Sequence, residues 1–155
     1  METGYSAYDL ERIKKATDYQ ELLTVAKKVL RHMTLRNQYK PIVILCGPIS
    51  TGGAGSRKEN LKIFSKAIER AKTGGLYVFS QMPFEDDMDR IYKSDPNLQG
   101  TKLLEEFYLP LFQTGLIKIL MFLPGWQESV GATWEHRTAE KLDIPRIYLA
   151  ESYVL

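Results

Sequence analysis

Hydrophobic positions along the chain switch between two periods. Between residues 18 and 36, Leu22, Leu23, Val25, Ala26, Val29 and Leu30 recur at helical spacing behind Asp18, a good N-cap. A shorter helix is predicted over about Tyr8 to Ala16. Then the period changes. Pro41-Ile-Val-Ile-Leu-Cys46 is short, continuous and β-branched, as a parallel strand covered on both faces should be. A helix follows from Arg57 to about Lys72, with Leu61, Phe64, Ile68 and Ala71 on one face and Ser56 as its cap; Gly74 and Gly75 end it. Leu76–Phe79, Leu116–Leu123 and Ile144–Leu149 read as further strands. Residues 80–100 show no clear period and read as a long irregular segment. Thr101–Gln113 reads as a helix interrupted by Pro110.

The order β-α-β-(loop)-α-β-α-β predicts a parallel sheet with right-handed crossovers. The expected architecture is a three-layer Rossmann/flavodoxin-like α/β domain of four to five strands over residues 39–155. An N-terminal helical extension over 1–38 precedes it.

The helix after Ser129 carries an anomaly. At about 100° per residue from Gly131, Leu142, Ala139 and Ala132 span an apolar arc from about 20° to about 100°. Thr133, His136, Arg137 and Glu140 fall on the polar side. Glu135, at about 40°, falls inside the apolar arc. An unpaired buried carboxylate is costly, so Glu135 either stays wet at the helix end or lines a cavity at the carboxyl edge of the sheet, where α/β folds bind ligands.

Composition narrows the chemistry. The 155 residues carry a net charge of +2 and a single cysteine, Cys46. That balance is too small to argue for nucleic acid or a membrane surface, and one cysteine allows no disulfide framework. With two histidines, His32 and His136, no His-rich metal site is expected. Glu2, Asp9 and Glu11 near the start, without an apolar run, predict a cytoplasmic protein without a signal peptide. The acids Glu85, Asp86, Asp87 and Asp89 read better as a solvated face than as ligands of a hard cation.

After the first strand comes Gly47-Pro48-Ile49-Ser50-Thr51-Gly52-Gly53-Ala54-Gly55-Ser56-Arg57. Its glycines allow a tight turn and close approach to a ligand, and the following helix N-terminus favours an anion. It fits neither a Walker loop nor a dinucleotide fingerprint; Lys58 comes one residue late for the former, which argues against a phosphotransferase. Arg57 opposes the helix dipole, so a ligand-facing, acid-paired or solvated role stays open. Trp126 and Trp134 are candidates for base stacking or for packing, and His136 for a solvated histidine.

Ser129-x-Gly131-x-x-x-Glu135 after Leu-Pro-Gly125-Trp126, together with the Gly47–Arg57 loop, resembles the nucleoside 2-deoxyribosyltransferase superfamily, including its 2′-deoxynucleoside 5′-phosphate N-hydrolases. The resemblance spans about residues 41–150. It implies an enzyme without cofactor that cleaves or transfers an N-glycosidic bond, with Glu135 as nucleophile. It also implies a substrate-binding set of Gly47, Pro48, Ile49, Gly52, Gly53, Arg57, Gln81, Gly125, Trp126, Ser129 and Gly131. A homodimer or higher homo-oligomer is implied too, with the tail near Tyr148 and Tyr153 reaching a partner's pocket. Where the family has an aspartate to protonate the leaving base, residues 105–118 contain none. Glu106, or an aspartate of 86–89, is the substitute. The departure keeps a second expectation in play, a nucleotide-binding protein without catalysis.

Overall fold

The computed structural model describes residues 4–97 and 99–155. They form two compact units: one takes the chain up to Gln38 together with Ser80–Leu116, the other Tyr39–Phe79 together with Ile117–Leu155. The N-terminal helices are thus not a separate extension but one cluster with the middle of the chain.

In the helical unit, helix α1 (Ala7–Lys15) begins in a capping box. Ser6 Oγ accepts from the Asp9 amide at 3.0 Å and Asp9 Oδ2 accepts from the Ser6 amide at 2.9 Å. Helix α2 (Tyr19–Arg36) is capped by Asp18 and buries Leu22, Val25, Ala26, Val29 and Leu30, the positions its period predicts. Much of the segment read as irregular is helical instead. A 3₁₀ turn (Met82–Phe84) leads into helix α4 (Glu85–Ser94). Phe84, Met88 and Ile91 are its buried stripe, obscured in the sequence by the dense acids between them. Asp87 pairs with Arg90 and Asp89 with Lys93, each at 2.9 Å, and Asp86 is exposed, but Glu85 is buried, so the four acids do not form the single solvated face expected of them. The expected break at Pro110 is also absent. Residues 101–113 run on as α5 (Thr101–Leu103), a π turn (Leu104–Tyr108) and α6 (Leu109–Gln113). The wider turn lies just before Pro110, which has no N–H to give and in a regular helix would crowd the carbonyl four residues back. Phe84 packs against Tyr5 and Phe107 with ring centroids 5.8 and 5.3 Å apart, forming an aromatic core.

The second unit is of the Rossmann/flavodoxin-like α/β class. Its strands are β1 (Ile42–Cys46), β2 (Tyr77–Val78), β3 (Ile117–Phe122) and β4 (Arg146–Tyr148), all parallel, in the order β2-β1-β3-β4. Helix α3 (Arg57–Thr73) joins β1 to β2, and α7 (Val130–Lys141) joins β3 to β4. Ile44, Leu45, Phe64, Ile68, Leu120 and Phe122 are buried to completion or nearly so. From β1 the chain first moves to β2 on one side, then returns to β3 on the other. Such a reversal, at the carboxyl ends of neighbouring strands, is where α/β sheets place ligand sites. Among the described residues no helix is long and apolar enough to cross a membrane.

Candidate active site

The reversal falls between Cys46, the last residue of β1, and Phe122, the last of β3, which pair in register. Both loops that the sequence marks leave from here. Gly47 lies close against Leu123: a Cβ there would come within 2.9 Å of Leu123 Cδ1, and the leucine side chain would have to shift.

The glycine loop is shaped by a residue the sequence reading passed over. Asn60, on the first turn of α3 and 3% exposed, accepts from the Ala54 amide at 2.8 Å. Its amide donates to Ile49 O at 2.9 Å and Gly52 O at 3.1 Å. One side chain thereby satisfies three loop backbone groups. The only local signal was a polar residue on the buried side of α3. The two loops also meet. Thr51 Oγ1 accepts from the Val130 amide at 3.0 Å, and a Cβ on Gly52, whose φ is +70°, would lie 2.8 Å from Glu128 O.

After β3, Gly125 (φ +84°) turns the chain into a 3₁₀ turn (Trp126–Glu128), and Ser129 caps α7 by accepting from the Ala132 amide at 3.2 Å. The backbone of Ser129 is held in turn, since Thr133 Oγ1 donates to its carbonyl at 2.6 Å. Gly131 has an ordinary helical role to refuse: an added Cβ would meet nothing within 4 Å. Glycine in a helix costs about 1 kcal/mol relative to alanine. Packing therefore does not require it, and its missing side chain leaves open room above the first turn.

One turn further, Glu135 is 7% exposed. The misplaced acid of the helical wheel is buried, and it lies against the end of β1. Burial first, then the neighbouring Glu135 charge and a hydrogen bond to it, push the Cys46 thiol well above its ordinary range. Cys46 is therefore a neutral thiol that donates to the carboxylate. A buried carboxylate held at a strand end, beside a helix N-terminus and open room, is a geometry for nucleophilic or electrostatic work on a bound cationic centre.

The α/β unit thus gathers Gly47, Pro48, Ile49, Gly52, Gly53, Arg57, Gly125, Trp126, Ser129, Gly131 and Glu135 on its own loops and helix starts. Gln81 and Glu106 belong to the helical unit. Glu106 lies in the π turn, where its charge, with Asp95, Tyr92 and Asp89, adds to burial in raising the Tyr19 phenol.

The expectation for His136 needs correction. Its side chain is 16% exposed. The imidazole stacks on Trp126 with centroids 4.3 Å apart and planes 13° apart, with its edge toward Phe122 at 5.1 Å. Nε2 lies 2.7 Å from the Tyr148 hydroxyl and Nδ1 lies 3.1 Å from Glu140 Oε1. The helical wheel places His136 among polar neighbours on α7. It carries no information on the rings that β3, β4 and the 126–128 turn bring over it.

The chain matches no family model, no curated protein and no solved structure.

Proposed function

We propose that the α/β unit cleaves or transfers the N-glycosidic bond of a 2′-deoxynucleoside or its 5′-monophosphate, with Glu135 as nucleophile. The observation that carries this reading is the burial of Glu135 against Cys46 at the strand reversal, four residues beyond the uncrowded Gly131. Loss of the base leaves an oxocarbenium-like sugar. A carboxylate under C1′ stabilises that charge and then bonds to it, giving a glycosyl-enzyme. Water or a second base takes the sugar in the return step. The N-terminus of α7 supplies its positive dipole and the Gly131 amide for a 5′-phosphate or 5′-hydroxyl, the Val130 and Ala132 amides being engaged by Thr51 and Ser129. The sugar would then span from Gly131 to Glu135 along one helix face.

The test is incubation with a panel of deoxynucleosides and their monophosphates, with and without a second free base, followed by chromatography of released or exchanged base. Turnover by wild type, abolished in Glu135→Gln with an unchanged circular dichroism spectrum, is the expected result. A wild-type protein that releases no base from any substrate overturns the reading. A second reading, nucleotide binding without turnover, is favoured by one observation: the acid expected to protonate the leaving base, Glu106, belongs to the helical unit, where its charge contributes to raising the Tyr19 phenol. Ligand-induced thermal stabilisation that survives Glu135→Gln, without turnover, would select it.

A further inference from the structure

A base leaving as an anion is a poor leaving group, so N-glycosidic cleavage needs a proton donor. The α/β unit carries a side-chain relay at the same sheet edge as Glu135. Cys46 pairs with Phe122, and Phe122 pairs with Tyr148. Three strand ends are therefore level, with the Cα atoms of Cys46 and Tyr148 two strand spacings, about 10 Å, apart. Partners in parallel register point to the same face. On that face α7 sets two consecutive residues to work: Glu135 meets Cys46, and His136 meets the Tyr148 hydroxyl. The two groups straddle the end of β3.

We infer that Tyr148, held by His136 and Glu140, is the proton donor to the departing base. The inference rests on the reading of Glu135 as nucleophile. The residue types suit the task. Tyr148 is 57% exposed, while His136 is held at both ring nitrogens and stacked on Trp126. For this role Nδ1–H donates to Glu140 and Nε2–H donates to the phenol oxygen, which the 3.1 and 2.7 Å separations permit. The phenol hydrogen is then free to point at the base.

The proton ledger closes within the site. As the C1′–N bond breaks, its electron pair stays on the base, which takes the Tyr148 proton, and a Glu135 oxygen bonds to C1′. The phenolate oxygen shares the proton of its 2.7 Å hydrogen bond with His136 Nε2 until the water proton arrives. In the return step water attacks C1′, the bond to Glu135 breaks with its electron pair returning to the carboxylate, and the proton of the water restores the phenol. Tyr148 would be a catalytic residue; His136 and Glu140 are positioning residues that act through it.

Leaving-group dependence tests this. Tyr148→Phe is compared with wild type on a deoxynucleoside and on p-nitrophenyl 2-deoxyriboside, whose nitrophenolate departs without a proton. We expect kcat on the deoxynucleoside to fall about a hundredfold or more, the usual contribution of a positioned acid. On the nitrophenyl substrate the loss should stay within about threefold, because no proton transfer is needed there. His136→Gln should show the same leaving-group dependence at smaller amplitude. Glu135→Gln should lose both substrates. Equal loss on both substrates in Tyr148→Phe, or none on either, overturns the assignment of Tyr148 while leaving the reading of Glu135 intact. A wild-type protein inert toward both substrates overturns the two together.

Discussion

Two of the buried carboxylates, Asp9 of the helical unit and Glu135 of the α/β unit, have different settings. Asp9 in the helical unit is 2% exposed and fully employed in holding structure. It accepts from the Ser6 amide and receives the Lys28 ammonium at 2.7 Å. Burial raises its pKa, but the Lys28 and Ser6 hydrogen bonds outweigh burial and leave it below the ordinary 3.8. Its partners tie the start of α1 to α2, and nothing else is asked of it. Glu135 in the α/β unit is buried to a similar degree, but it sits at a strand end against a thiol, beside a glycine that packing does not need. Burial by itself therefore does not mark a functional acid. The two differ in setting: Asp9 closes a capping box and receives an ammonium, whereas Glu135 accepts from a thiol at the end of a strand.

The comparison is most sharply tested by exchanging the phenotypes. Glu135→Gln should reduce turnover by at least about a thousandfold, since a nucleophile has no substitute, while Tm stays equal or rises. Asp9→Ala should do the reverse. Removing one partner of a buried pair leaves the other uncompensated; with Lys28 partly exposed, we expect a loss of about 2–3 kcal/mol in urea unfolding and unchanged activity of the remaining folded protein. A stable Asp9→Ala protein, or an unfolded Glu135→Gln protein, breaks the contrast.

Next in size is Asn60→Ala. It deprives one amide and two carbonyls of the glycine loop of their partner, at about 2 kcal/mol, and should raise KM more than it lowers kcat. A KM equal to wild type would show that the loop shape is irrelevant to the ligand.

Acid titration separates the two carboxylates further. Because the folded pKa of Asp9 lies below its unfolded value, its contribution is fully present above about pH 4–5 and is lost as pH falls through the folded value. Wild-type stability should therefore decline on acidification below about pH 4, and Asp9→Asn should flatten that decline. An unchanged slope removes Asp9 from the account. Smallest is Ser129→Ala, which removes the α7 cap and should cost about 1 kcal/mol in thermal or urea unfolding.

What the chain declares about itself is local. Caps at Asp18, Ser56 and Ser129, the continuous apolar strands and the parallel α/β order follow from neighbours within a few residues, and all were legible. So was Glu135 as an acid on the wrong side of its helix. Where many charges interrupt a stripe, as in α4, period reading fails even locally, because the stripe Phe84, Met88, Ile91 is too thin to stand out. Asn60 was invisible for another reason: its partners are backbone groups six to eleven residues away, shaped by glycines rather than encoded in side chains. The Tyr148–His136–Glu140 relay depends on strand register. Only when β4 pairs with β3 does Tyr148 come level with Phe122 and under His136. Likewise, only packing joins the N-terminal helices to residues 80–116. Helix and strand type follow from local periodicity. Which buried polar group meets which is decided by contacts between distant segments, and no local pattern carries those.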